Sequence, residues 1–372
     1  MSDDQLRNRL EQILDSTLRP LLDQRDGPAR LLERLPIIYP PDAIGPDYNT
    51  AQEAWDLTGL FYAARGRHFE ALSLYTALYH QMLRAQTRGR IHKGTPLVRL
   101  ADSYSALGYT VHAKRCLMLT LCEDALRENG DVSPETTGIY FRLIWGSGLP
   151  EAELKRYARR FNELAITNPE RAKYPEWLLQ EVDAAWLTEV PSPSESGLYV
   201  ACTIYVDYLL GNLGDGSGDY LELLAEYLVS CMPGCRTMRR GRSGSTDYDV
   251  VCAMGGFEVD FRSEFGRYFV CECKDWNTPA DFTVMAKFCR VLDSTKARFG
   301  ILFSKSGISG SRTFRDARLE QIKIFQDRGI VIVVVDRNDL TQIAGGANFT
   351  ELLRQKYQEV RLDLRNIRRD AG

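Results

Sequence analysis

The chain has 372 residues, of which 44% are hydrophobic and 26% charged, an ordinary globular make-up that leaves room for two or three domains and argues against disorder on a large scale. A net charge of −3 excludes a protein that coats nucleic acid non-specifically, so any affinity for phosphate has to come from local patches. The start, Met1-Ser2-Asp3-Asp4-Gln5, has neither the basic nor the apolar region of a signal peptide, and no run of ~18 apolar residues occurs; a cytoplasmic protein without membrane contact is expected.

In chain order, Leu6, Leu10, Ile13, Leu14 and Leu18 predict a first helix that ends at Pro20, followed by a surface linker carrying Pro36, Pro40, Pro41 and Pro46. From Ala54 the pattern becomes a helical repeat. Trp55, Gly59, Tyr62, Gly66, Ala71 and Tyr75 recur as Leu97, Ala101, Tyr104, Gly108, Ala113 and Leu117, an offset of 42 residues, with Lys93-Gly94-Thr95-Pro96 in the intervening turn. Small residues alternating with aromatics resemble the tetratricopeptide pattern, although that repeat is about 34 residues long. Further amphipathic helices are predicted for Pro134 to Trp145, Glu151 to Ala165 and Pro175 to Trp186. The aromatics of this half are expected in the core. Stacked helical pairs also leave a concave surface, so a protein partner is possible there.

Pro191-Ser192-Pro193-Ser194-Glu195-Ser196 and Gly211 to Gly218 have linker composition, with an apolar connecting helix, Leu198 to Leu210, between them. The expected domains are therefore a helical domain at 1–190, a linker and connecting helix at 191–218, an α/β domain at 219–346 and a basic C-terminal helix at 347–372. Nine cysteines in a reducing compartment are expected to be free, and Cys231 and Cys235 lack the second pair or neighbouring histidine of a zinc site. All four histidines precede residue 113, which leaves no histidine base for chemistry in the second half.

The chemistry-bearing stretch is Thr246 to Trp276. Asp249 opens an apolar strand (Val250, Val251, Cys252), and Arg-Tyr-Phe-Val-Cys-Glu-Cys-Lys-Asp-Trp carries Glu272 and Lys274 on a second, with a hairpin the economical link. Alternation puts Val270, Glu272 and Lys274 on one face and Phe269, Cys271 and Cys273 on the other. A carboxylate and an ammonium on so apolar a strand are costly to bury without compensation, which a divalent metal would provide. Asp249, Glu272 and the carbonyl of Cys273 make an all-oxygen set of the kind Mg²⁺ prefers, with Lys274 beside it to orient water and offset charge on a phosphorane. The plainer alternative is a solvated edge strand on which Glu and Lys alternate. Upstream, Arg236, Arg239, Arg240 and Arg242 form a basic stretch, read as a loop that grips phosphates, and Lys305 is a further phosphate candidate.

Asp249 followed by Glu272-Cys273-Lys274 resembles the PD-(D/E)xK nuclease signature, and the context is similar to its Mrr-type restriction endonuclease branch. A helix with an early Glu (Leu221-Glu222-Leu223-Leu224-Ala225) precedes the acidic strand, and after the lysine come a helix, the strand Gly300 to Phe303 with its polar turn, another helix and the apolar strand Ile330 to Val335. Where the branch often has Gly-Asp-x-Gly-Ile-Asp, this chain has Gly244-Ser245-Thr246-Asp247-Tyr248-Asp249, so Asp247 is either a supporting group or a bystander. The resemblance covers roughly the last 150 residues. It implies a multidomain protein: an all-α tetratricopeptide-like domain, then a restriction-endonuclease-like α/β domain with a mixed central sheet. It further implies an Mg²⁺-dependent endonuclease, Mn²⁺ substituting, acting on DNA in defence against foreign DNA, with Asp249, Glu272, Lys274 and Glu222 catalytic and at least a dimer at work. The alternatives are a catalytically silent nucleic-acid-binding protein and a ribonuclease on the same scaffold.

Overall fold

The structure, a computed structural model, describes residues 35, 48–85, 91–127, 151–167, 198–232, 234–242, 247–254, 265–310 and 316–362. The predicted helices at 6–18, 134–145 and 175–186, and the linkers at 36–46 and 191–196, lie outside these residues. The chain divides into two compact units, Met1–Ser192 and Pro193–Gly372. Among the described residues no helix is long and apolar enough to cross a membrane.

The first unit contains α1 (Tyr48–Ala64), α2 (His68–Ala85), α3 (Gly94–Ala106), α4 (Thr110–Arg127) and α5 (Glu151–Thr167). The 42-residue recurrence of the sequence is geometric too, because α2 and α4 begin and end that far apart. Gly66 and Gly108 both end a turn at positive φ, 74° and 83°, a conformation that favours glycine. Each turn closes with equivalent bonds: Arg67 N–H donates to Tyr62 O and Tyr109 N–H to Tyr104 O, each at 2.9 Å. Gly59 has to be small for another reason. A Cβ there would lie 2.3 Å from the Tyr75 ring, whose hydroxyl donates to Asp56 O at 3.1 Å. Lys93, expected in an open turn, is instead an anchor: its Nζ pairs with Glu123 Oε1 at 2.9 Å, both side chains 0% exposed, and its N–H donates to Glu123 Oε2 at 3.0 Å. Pairing and a second hydrogen bond make that buried charge tolerable.

The second unit runs α6 (Thr203–Gly211), α7 (Asp219–Ser230), β1 (Cys235–Arg242), β2 (Asp247–Met254), β3 (Tyr268–Lys274), α8 (Phe282–Thr295), β4 (Phe299–Ser304), α9 (Ala317–Arg328), β5 (Val331–Val335), α10 (Arg337–Ala344) and α11 (Phe349–Arg361). Its strands form one mixed sheet in the order β1-β2-β3-β4-β5, antiparallel as far as β3 and parallel from β3 to β5. Val270, Leu302 and Ile332 pack against Met285, Phe288 and Leu292 of α8 and Ile324 of α9. On the opposite face Phe265 stacks on Phe299 with centroids 4.1 Å apart, and Phe299 and Phe303 meet Tyr357 and Phe349 of α11. Burial on both faces explains why β4 and β5 are uninterrupted apolar runs.

Two expectations change in the folded chain. The basic stretch 236–242 is not a loop but the strand β1: it pairs with β2 along its length, Arg239 meets the acids of α7, and charged side chains suit an edge strand. Gly211–Gly218 is no free linker: Gly214 N–H donates to Asp275 Oδ2 at 2.6 Å, tying it to the end of β3. The apolar connecting helix, read from the sequence as a buried connector, and the terminal helix, read as either a nucleic-acid-binding or a packed helix, are α6 and α11 of the second unit, where Tyr205 lies 4.8 Å from Tyr227 and Leu353 is fully buried.

Candidate active site

The site lies where β2 and β3 part. Their pairing ends at Val250↔Cys271, and one residue further on Asp249 Oδ2 accepts the Cys273 N–H at 2.7 Å, taking the place of a main-chain acceptor. Asp249 shares a face with Val251, whose partner is Val270, so alternation brings Asp249, Glu272 and Lys274 to one face of the sheet. Beyond β3, β4 pairs Lys274 with Ser304, which fixes this end of the strand from its other side.

Lys274 Nζ lies 2.5 Å from Glu272 Oε1 and donates to the Cys273 carbonyl at 3.2 Å. Two of the oxygens expected to hold a metal thus already converge on one cation. Burial pushes Glu272 above the ordinary carboxylate range, and Asp249 adds to the rise against the pull of Lys274. Burial lowers the Lys274 ammonium, but Glu272 outweighs it and the net shift is upward, which keeps Lys274 charged. The Cys273 thiol faces the other way, 4.0 Å from Leu221 O, and burial raises it well above its usual value. The main-chain oxygen, not the sulfur, is therefore the donor Cys273 offers.

Glu222, in the first turn of α7, is bound at Oε2 by Arg239 Nε at 2.9 Å, and Arg239 Nη2 donates to Asp219 Oδ1 at 3.0 Å. Burial raises the Glu222 carboxyl despite Arg239, and Asp249 raises it further, so the two acids feel one another. Arg239, expected to hold phosphate, is 8% exposed and committed to these two carboxylates. Arg236 sits on β1 opposite Ala253; Arg240 and Arg242 are on the same strand, with side chains outside the described residues, as is that of Asp247. Lys305 follows β4, where its Nζ donates to Asn277 Oδ1 at 3.0 Å and lies 3.7 Å from Asp275 Oδ1.

Sequence reading missed the Arg239 clamp and the role of Asp275. The first had a signal, Asp219 and Glu222 one helical turn apart, but no rule of spacing connects a helix turn to a strand seventeen residues later. Among the described residues no group of three or more His, Cys, Asp or Glu side chains is placed to hold a metal. The site offers two carboxylates and a carbonyl, a set suited to a hard cation that keeps several waters. Comparison with protein-family models, curated proteins and solved structures returns no match.

Proposed function

We propose that the second unit is a metal-dependent endonuclease of restriction-endonuclease-like fold that hydrolyses phosphodiester bonds in DNA, and that the tetratricopeptide-like first unit governs its regulation or assembly. The observation that supports this best is the meeting of Asp249, Glu272 and Lys274 at the point where β2 leaves β3, with the Lys274 ammonium held between Glu272 Oε1 and Cys273 O. Oxygens that already hold a cation suit a divalent one, so Asp249, Glu272 and the Cys273 carbonyl are the ligands for Mg²⁺, or for Mn²⁺ in its place. When bound, the ion supplies Lewis-acid polarisation and a water of lowered pKa.

The protein's own groups do the rest. Lys274, kept protonated by Glu272, donates to a non-bridging phosphate oxygen and steadies the charge that grows there. Asp249 is held by the Cys273 N–H and cannot swing away. Arg239 fixes Glu222, which is near enough for the Asp249 charge to act on it, and its carboxylate orients water. Supercoiled plasmid, single-stranded DNA and RNA, each with Mg²⁺ or excess chelator, are the substrates to try. Lys274→Ala and Asp249→Ala should cut at least about 100-fold more slowly while still binding. Cutting that survives chelator, or variants that cut like the wild type, would sink the assignment.

A further inference from the structure

Two residues beyond Lys274 the chain presents a tryptophan to solvent. Trp276 is 47% exposed, and the Lys274 ammonium lies 5.5 Å from its ring centroid. The backbone beneath the ring is fixed: Ser306 Oγ donates to Trp276 O at 2.7 Å, Gly214 N–H to Asp275 Oδ2 at 2.6 Å, and Lys305 Nζ to Asn277 Oδ1 at 3.0 Å. Just downstream, Ala280 N–H donates to Gly307 O and Ser309 N–H to Ala280 O, each at 2.9 Å. Exposure alone would say little, but here the exposed ring stands on a braced loop directly beside the Lys274 ammonium, where a strand held by that lysine would pass.

We propose that Trp276 is a stacking platform for an unpaired base of the strand whose phosphate lies against Lys274, so that the substrate class is DNA with an unpaired nucleotide at the cut: a single strand, a frayed end or a flap. The inference rests on the nuclease reading for the position of the phosphate. In stacked DNA a strand carries a phosphate about every 3.4 Å along its axis and an unstacked strand is more extended, so a ring 5.5 Å from the ammonium meets a base next to the phosphate held there. Any base has a π face, and stacking on an aromatic ring is tolerant of sequence. Within a duplex both faces of each base are already stacked. Pulling one out costs more than a single ring returns, so the platform selects strands that are already open.

The test uses the full-length protein, a fluorescein-labelled oligothymidylate and a blunt duplex of the same length, with Ca²⁺ for binding and Mg²⁺ for cutting. Trp276→Ala should lower the ratio of single-strand to duplex affinity about ten-fold, or ~1.4 kcal/mol, with Trp276→Phe recovering most of it. In cleavage the loss should sit in KM rather than kcat. Equal losses on both substrates, or no loss on the single strand, overturn the platform. Lys274→Ala separates the two ideas: if it cuts no more slowly than the wild type the nuclease reading falls, while the affinities of the Trp276 variants still decide whether a base stacks there. A protein that binds neither oligonucleotide overturns the platform as well.

Discussion

Glu222 is a carboxylate kept under tension by its surroundings, since burial and the neighbouring acids Asp249 and Glu226 outweigh Arg239 and raise its pKa. A carboxyl whose folded pKa lies above its unfolded value binds more protons folded than unfolded. The fold is then favoured below the unfolded value and loses that contribution as pH rises through the folded one. Glu222→Gln, which still offers Arg239 an acceptor, should raise the melting temperature at pH 7 and change it little near pH 4. Melting curves across that range check the sign, and a larger gain in acid than at neutrality would refute burial as the cause of the raised pKa. The same substitution should slow cutting, so stability and activity move in opposite directions at one side chain. Arg239 shows how far an assignment by charge alone can stray: on the sequence it is one of four arginines in a basic run, whereas folded it neutralises two acids of α7.

Among the elements, α8 sets the depth of the site, because it roofs the face of the sheet that carries Val270 and Glu272. Its closeness to β4 depends on Gly300, where a Cβ would meet Leu292 Cδ1 at 2.7 Å and Phe288 Cζ at 2.8 Å. Gly300→Ala should therefore cost about 1–3 kcal/mol by overpacking, read from urea denaturation. An unchanged midpoint would mean that the helix yields freely. Most of these elements were legible because each carries its own local signal: two-residue alternation in β2 and β3, apolar runs in β4 and β5, and a 42-residue recurrence in α1 to α4. The meeting of Asp249 with Glu272 and Lys274 could be inferred for the same reason, since alternation along two neighbouring strands puts all three on one face. What could not be read was partly long-range. The anchoring of 211–218 by Asp275 depends on a partner far away in sequence, and glycine-rich composition resembles a loop until that partner is known; the strand state of 236–242 was hidden instead by its arginine-rich composition, although its partner β2 follows directly.

At the scale of the molecule, the boundary of the second unit decides which fragment can be studied alone. A piece beginning at Asp219 omits α6 and with it the Tyr205–Tyr227 contact at 4.8 Å and the bond from Cys202 N–H to Tyr227 Oη at 2.9 Å. Residues 193–372 should fold cooperatively and nick plasmid, whereas 219–372 should melt several degrees lower, since losing a buried aromatic contact costs about 3 kcal/mol or more. A single site cuts one strand, so on supercoiled plasmid, whose strands open locally, efficient double-strand cleavage is expected of a full-length dimer and not of 193–372. Light scattering beside a plasmid assay that separates nicked from linear product tests both claims. A fragment 193–372 that linearises plasmid like the full chain would remove the first unit from any part in cutting.

The sheet's spatial order is also its chain order. A polypeptide leaving the ribosome can thus add each strand to the one just made, and none has to wait for a partner synthesised later. Asp249, Glu272 and Lys274 can come together as soon as β3 pairs with β2, while α8 and β4 have still to emerge. At that moment β3 is a naked edge carrying two aromatics, a valine and two cysteines, next to sibling chains on the same messenger. Its outer end carries a fixed pair of opposite charges, the kind of feature that deters intruding strands.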